Sequence, residues 1–388
     1  VAKKAAFSSW KEIEDWLGAL VDLEQMAGAT RGAFVRSEKP VQRVLMRVGL
    51  WPYPIPMIHL VGSKGKGSVA WMCECLLQVG GVRTGLYQSP HLVERRERIK
   101  IDGEMASVSL WGEGLRSLAE AVVAEGLSRF EAETVLAFWL FAREGVEVVI
   151  CEAGLGGVGD ATSAVQARLV CLTSVEQEHT ELLGEDLAGI ALQKAGVIAE
   201  GGLLAVGPLP HQAMRAVLGL CRERSVRLLE VGVDLAVVRT EPVSDGTWVT
   251  CEGGERQTRT QHRFFLSLLG AHQPYMAALA ILVVQTFVRQ VIGQLWSWSW
   301  VESLGSLCIP ARLESLPSVD GLILLDTAHT PRSVQASLDA CLIHKQQPPA
   351  CVLLALSQDK RLVEILALVA SACPLLILVP NPGPRGVS

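Results

Sequence analysis

At 388 residues the chain is too long for one ordinary hydrophobic core and long enough for two or three. A formal net charge of −5 and an isoelectric point near 6.0 argue against a general nucleic-acid binder, so partners are expected among small molecules. Hydrophobic residues make up 49% and charged residues 19%, with a mean hydropathy of +0.32, but charges interrupt every long apolar run and no membrane-spanning helix is expected.

In chain order, the opening residues lack the apolar stretch of a secretion signal and lead into a polar, helix-like segment from Trp10. An apolar strand at Met57 to Val61 runs straight into Gly62-Ser63-Lys64-Gly65-Lys66-Gly67-Ser68, and a helix at Val69 to Val79 follows. Further strands are expected at Val82 to Tyr87, Val146 to Cys151, Leu169 to Thr173 and Leu203 to Val206. Helices are expected between them at Trp111 to Glu125, Glu131 to Arg143 and Leu187 to Ala199. This alternation predicts an α/β fold with a doubly wound, mostly parallel sheet and ligands at the carboxyl ends of its strands. Residues 226 to 266 change character and read as a small antiparallel insertion, followed by a helix from Gln273 to about Arg289.

Near Pro310-Ala311-Arg312-Leu313 the chain restarts, with buried-type strands at Leu322 to Leu325, Cys351 to Leu354 and Leu375 to Val379. Helices near Ser333 to Ile343 and Leu362 to Ser371 separate them. The expected division is therefore a phosphate-loop domain over 1–305 and a smaller Rossmann-like α/β domain over 306–388. Trp296, Trp298 and Trp300, just before that junction, are expected to pack there rather than to stack on a ligand. Ten scattered cysteines with no Cys-x-x-Cys pair read as buried free thiols in a reducing cytoplasm.

The chemistry begins at the glycine-rich loop. Its three glycines let backbone N–H groups converge on phosphate oxygens, and the helix N-terminus beyond them attracts anions. The segment reads as a nucleoside triphosphate site, with Lys66 on the β- and γ-phosphates and Ser68 on Mg²⁺. The general phosphate-loop pattern puts serine or threonine directly after the lysine; here Gly67 intervenes, which favours a particular variant. Glu152 ends a strand before Ala-Gly-Leu-Gly-Gly and reads as a Mg²⁺ ligand or a solvated strand-end carboxylate. His179 follows the next strand and, alone, is also an ordinary polar loop residue. Lys194 reads from composition as an exposed helix lysine. A carboxylate and an imidazole at neighbouring strand ends beside a phosphate loop strengthen both assignments.

Eight ordered motifs then carry a resemblance: Gly62 to Ser68, Ser89-Pro90-His91-Leu92, Glu97-Arg-Ile99, Glu152 to Gly157, Asp160-Ala161-Thr162, His179-Thr-Glu181, Lys194-Ala-Gly196 and Asp326-Thr-Ala-His329. Together they resemble the folylpolyglutamate synthase/dihydrofolate synthase family of the ATP-dependent Mur ligase superfamily, from about Trp10 to the C-terminus. The resemblance implies an ATP-dependent amide ligase that adds L-glutamate to dihydropteroate or to folates through an acyl phosphate, with ATP and Mg²⁺. It implies a nucleotide site at Gly62, Ser63, Lys64, Gly65, Lys66, Gly67 and Ser68, joined by Gln273, Arg312, Asp326 and His329. It implies Mg²⁺ ligands at Ser68, Glu152 and His179, and a carbamylated Lys194. Acceptor contacts are implied at Ser89, Pro90, His91, Ser128, Asp160 and Ala161, and a cytoplasmic monomer is the family expectation.

Departures from the family pattern are Met276, Ser163 and Thr330, each where asparagine is usual, and Val158 in place of arginine. The C-terminal domain is expected to be shortened. A Mur-type ligase for a cell-wall precursor and a non-catalytic homologue that binds nucleotide or pterin are the alternatives. The Ser-Pro-His-Leu loop and the Asp-Ala pair count against the first.

Overall fold

A computed structural model describes residues 7–22, 37–177, 184–254, 259–319, 321–356 and 361–380. The chain divides into two units, Val1–Ala236 with Ala278–Trp300, and Val237–Ala277 with Val301–Ser388. The second unit takes up again at Val301, and residues 237–277 also fall within it.

The first unit opens with α1 (Trp10–Gly18), whose cap Ser9 accepts the Glu12 N–H, and α2 (Lys39–Arg47), with Pro40 in its first turn, where a residue without an N–H leaves no donor unsatisfied. β1 (Met57–Val61) is buried at every position, as a strand covered on both faces must be. α3 (Lys66–Val79), β2 (Thr84–Tyr87), β3 (Ile99–Ile101) and β4 (Glu104–Met105) follow, then α4 (Val108–Ala124) and α5 (Arg129–Arg143). The remaining elements are β5 (Val148–Glu152), β6 (Leu169–Leu172), α6 (Leu187–Ala195), β7 (Leu203–Val206), α7 (His211–Glu223) and β8 (Arg227–Glu230). The strands form one sheet in the order β4-β3-β2-β5-β1-β6-β7-β8, parallel from β2 to β8 and antiparallel at β3 and β4. After β1 the chain crosses outward past β5 to β2, and from β5 it crosses over β1 to β6. The carboxyl end of β1 is therefore a switch point, where an open α/β sheet leaves its ligand crevice.

Arg227–Glu230 corrects the expected start of the insertion: it pairs parallel with β7 as the sheet's edge. Its half-exposed Arg-Leu-Leu-Glu has no continuous apolar run to announce it. Within the first unit Trp296 packs edge-on to Trp298 and Trp300, and the Trp300 ring covers Gly80, where a Cβ would fall 2.6 Å from it.

In the second unit, β9 (Leu235–Val243), whose first two residues belong to the first unit, pairs with β10 (Gly246–Gly253), and β10 pairs antiparallel with β11 (Thr260–Leu266). α8 (Gln273–Phe287) follows, and the division between units passes through it. With the turn after it, Gln273–Ile292 is long and apolar enough to cross a membrane, but 67% of its most apolar window is buried within the protein, as in a core helix. β12 (Arg312–Ser318) and β13 (Gly321–Asp326) form an antiparallel pair, and α9 (Pro331–Lys345) follows. β14 (Val352–Leu354), α10 (Leu362–Ala372) and β15 (Leu376–Leu378) complete the unit, with β14 and β15 parallel. Val334, Leu338, Leu356, Ile365 and Val369 form its small core. The C-terminal strands were expected to be buried, yet Ile323 is 53% and Leu353 69% exposed. A two-stranded sheet has a second face that one layer of helices leaves open. Cys308 and Cys351 are likewise exposed, although all ten cysteines are free.

Candidate active site

The phosphate loop is built by its glycines. Gly65 caps α3 at φ +84°, and Gly62 takes φ +144° where a Cβ would meet the Thr173 hydroxyl at 2.1 Å. The end of β6 fastens this loop from the side. Ser63 N–H donates to the Ser174 carbonyl at 2.9 Å, Lys64 N–H donates to Ser174 Oγ at 2.9 Å, and Thr173 Oγ1 donates to the Lys64 carbonyl at 2.6 Å. The sequence singled out neither Thr173 nor Ser174, whose hydroxyls are ordinary in a strand end until the register with β1 is known.

Lys66 and Glu152 meet across the switch point. Lys66 Nζ donates to the Gly62 carbonyl at 3.0 Å and lies 3.9 Å from Glu152 Oε1. Leu60 and Glu152 are partners in the β1–β5 ladder, which brings the carboxylate to the loop. Ser68 stands in the first turn of α3, 5% exposed, and Glu152 is 6% exposed. A Cβ on Gly67 would touch Glu152 Oε2 at 3.6 Å, so the intervening glycine keeps side-chain bulk out of the gap between loop and carboxylate. His179 lies outside the described residues. Among the described residues no group of three or more His, Cys, Asp or Glu could hold a metal, so a hard cation here would rest on Ser68 and Glu152 oxygens.

Lys194, read from composition as exposed, is fully buried in the last turn of α6. That turn grips the loop after Glu152: Val158 N–H donates to the Gln193 carbonyl at 3.0 Å, and Gln193 Nε2 donates to the Val158 carbonyl at 2.8 Å. The loop is also tied to itself through Asp160. One carboxylate oxygen accepts the Leu155 N–H at 3.0 Å; the other accepts the Thr162 N–H at 3.0 Å and the Thr162 hydroxyl at 2.5 Å. That hydroxyl in turn accepts from His59 Nε2 at 2.8 Å, so Nε2 carries a proton. Burial lowers its pKa to about 4 against the attraction of Asp160. Ala161 begins the short helical turn that Asp160 caps.

Two further acceptor-side residues have local duties. Ser128 caps α5 and donates its hydroxyl to Glu131 at 2.6 Å. His91, in the loop after β2, accepts at Nδ1 from Arg98 Nε at 3.0 Å. The loop's backbone is gathered by Glu97, whose carboxylate accepts the N–H groups of Leu92, Val93 and Glu94 at 2.7 to 2.8 Å. Although its partial burial raises the carboxyl's pKa, these bonds outweigh it and leave it below the ordinary value. Ser89 and Pro90 are joined by a cis peptide bond.

In the second unit, Asp326 accepts the Leu313 N–H at 2.9 Å and the Ala328 N–H at 2.6 Å. Arg312 donates to the Ala311 carbonyl at 3.1 Å and to the Thr327 hydroxyl. His329 Nδ1 donates to the Thr327 carbonyl at 2.8 Å. His272, absent from the sequence reading, is held below the usual histidine value by burial, despite Asp326 and with Arg312 adding to the effect. Thr330 caps α9 in a reciprocal pair with Ser333, a local reason for a hydroxyl there. Gln273 is 2% exposed and its Oε1 is buried without a hydrogen-bond partner, an acceptor that a ligand donor would satisfy. Met276 is 8% exposed on the same helix.

The switch-point crevice with its phosphate loop, cationic lysine and strand-end carboxylate defines a nucleotide-dependent α/β enzyme of the phosphate-loop class. No protein-family model matches the chain. It is 28% identical over 338 residues to the folylpolyglutamate synthase of Lacticaseibacillus casei, covering 85% of this chain and 78% of that protein. It is 29% identical over 357 residues to the dihydrofolate synthase/folylpolyglutamate synthase of Mycobacterium tuberculosis, covering 86% and 72%. The structure of Mycobacterium tuberculosis folylpolyglutamate synthase complexed with ADP and AMPPCP superposes with a TM-score of 0.82 at 27% identity, covering 91% of this chain and 81% of that one. The chain belongs to the folylpolyglutamate synthase/dihydrofolate synthase family.

Proposed function

We propose that this protein is an ATP-dependent ligase joining L-glutamate to the carboxyl group of dihydropteroate or a folate, releasing ADP and phosphate. The observation that carries the reading is the convergence of Lys66 and Glu152, 3.9 Å apart, at the carboxyl ends of adjacent parallel strands beside a glycine-built phosphate loop. The names of the relatives supply the substrate class.

The loop amides from Ser63 to Ser68 bind the triphosphate, and Lys66 exchanges its bond to the Gly62 carbonyl for the β- and γ-phosphate oxygens. Ser68 and Glu152 are hard oxygen donors suited to Mg²⁺, with His179 assigned beside them; the ion supplies neutralisation of phosphate charge. The acceptor carboxylate attacks the γ-phosphorus, ADP leaves, and Lys66 stabilises charge on the transferring group. The glutamate amine then attacks the acyl carbon of the acyl phosphate, loses a proton, and phosphate departs. Lys194, fully buried, is proposed to be carbamylated: its neutral amine adds CO2 and loses a proton, giving an anion that would help hold Mg²⁺. Ser89, Pro90, His91, Ser128, Asp160 and Ala161 are assigned to the acceptor, and Gln273, Arg312, Asp326 and His329 to the nucleotide.

Phosphate release is measured with ATP, Mg²⁺ and glutamate against dihydropteroate and tetrahydrofolate. Release that requires both glutamate and a pteroyl acceptor is expected, and Lys66→Ala lowers it at least about a hundredfold. If neither acceptor stimulates wild-type turnover, the ligase assignment is wrong.

A further inference from the structure

Glu133 is fully buried on α5, and both its oxygens are taken by guanidinium groups. Arg98 Nη1 donates to one at 2.8 Å and Arg95 Nη1 to the other. Arg95 also donates through Nε to Glu14 on α1 at 3.0 Å, so two carboxylates balance two cations. Such a network is weak evidence for stability, because desolvating the ions offsets most of their attraction. Its other end touches the loop after β2, where Arg98 Nε meets His91 Nδ1 at 3.0 Å. A guanidinium only donates, so Nδ1 is the bare nitrogen and the imidazole proton sits on Nε2.

We propose that Glu133 and Arg98 are positioning residues for the acceptor, holding His91 as the Nε2–H tautomer in the loop that orients the pteroyl substrate; this rests on the function proposed above. The backbone of that loop has separate fasteners. Glu97 gathers three of its N–H groups, and Gln88 links the Trp71 indole, at 2.7 Å, to the Glu97 carbonyl, at 3.1 Å. What Arg98 adds is the orientation and proton placement of one ring. Glu133 fixes the guanidinium so that Nε, rather than another of its nitrogens, faces His91. A lysine at 98 keeps the charge beside Glu133 but lacks the planar fork that serves both partners at once.

The test uses the full chain labelled with ¹⁵N-histidine, the His91 signals being assigned by their loss in His91→Gln. Wild type is expected to show a bare Nδ1 and a protonated Nε2, and Arg98→Lys to lose that preference. A protonated Nδ1, or an unchanged signal in Arg98→Lys, overturns the inference whatever the substrate is. Kinetically, Arg98→Lys raises KM for the pteroyl acceptor about tenfold and leaves KM for ATP within about twofold, the size of one lost charge-assisted hydrogen bond. In the His91→Gln background Arg98→Lys adds nothing further, because both act through one ring. Glu133→Gln follows Arg98→Lys in this split; since it also leaves two buried guanidiniums short of a charge, Arg98→Lys is the decisive variant. Parallel rises in both constants, or additive effects, make Arg98 a support of the fold and overturn the positioning role. A wild-type chain that turns over no pteroyl acceptor removes the proposed function, while the tautomer signal still decides the state of His91.

Discussion

Glu74, on the inner face of α3, is 4% exposed, and its Oε1 is buried without a hydrogen-bond partner. Burial pushes its carboxyl up to about 7 against the pull of Lys100, whose ammonium lies 3.4 Å over the Trp71 ring. A carboxyl that holds its proton more tightly when folded contributes stability that is full below its unfolded value of 4.5 and lost as pH rises through about 7. His59 has the opposite sign. With its folded value near 4 instead of 6.5, it contributes stability that is present above 6.5 and lost as pH falls through about 4. Each difference corresponds to about 3 kcal/mol at full effect. Across the shared window from about 4.5 to 6.5 the two slopes oppose one another. Glu74→Gln removes one of them, so the urea midpoint of the variant is expected to fall more steeply on acidification than that of wild type. Identical pH profiles would show that Glu74 ionises normally in the folded chain.

The junction between the loop after β5 and the last turn of α6 tests the site as a pair of elements. A Cβ at Gly157 would meet the Lys194 carbonyl at 2.6 Å and the Gln193 carbonyl at 2.8 Å, both backbone atoms that have little room to give. Gly157→Ala is expected to cost about 1–3 kcal/mol, the usual penalty of overpacking, and to lower the melting temperature and ligase turnover together. Gly18→Ala, at the end of α1 where nothing lies within 4 Å, is the neutral control. If both variants melt alike, the junction is looser than its hydrogen bonds imply. Elements of this kind also mark what the sequence discloses. β1, β2, β5, β6 and β7 were legible as apolar runs because a parallel strand covered on both faces has no polar alternation. β8 was not, because at the sheet edge its burial is partial. Within the site, Lys66 and Glu152 were legible because glycines and strand ends announce them. Thr173 and Ser174 were not, and Arg98 showed only as part of the Glu97-Arg-Ile99 motif: their roles come from the register of β1 against β6 and from the packing of α5, which no local spacing encodes. The burial of Lys194 was equally hidden, since a helix lysine looks the same in sequence on either face.

At the scale of the whole molecule, the proposed nucleotide residues are divided between two units, the phosphate loop in the first and Arg312, Asp326 and His329 in the second. A ligand at a hundred times its Kd stabilises what it binds by about 2.7 kcal/mol, so nucleotide contact is tested in each unit by itself. Hydrogen exchange separates the contributions. A non-hydrolysable ATP analogue with Mg²⁺ is expected to slow exchange at residues 63–69 and also at 311–313 and 326–330, where the Leu313 and Ala328 N–H groups already donate to Asp326. Substitution tests the two sets of residues separately. Lys66→Ala removes the anchor on the β- and γ-phosphates, so protection is lost at 63–69. Arg312→Ala removes a secondary contact, so protection is lost at 311–313 and 326–330 while residues 63–69 stay slow. Protection confined to 63–69 in wild type would take Arg312, Asp326 and His329 out of the nucleotide site and leave the phosphate loop to bind ATP by itself.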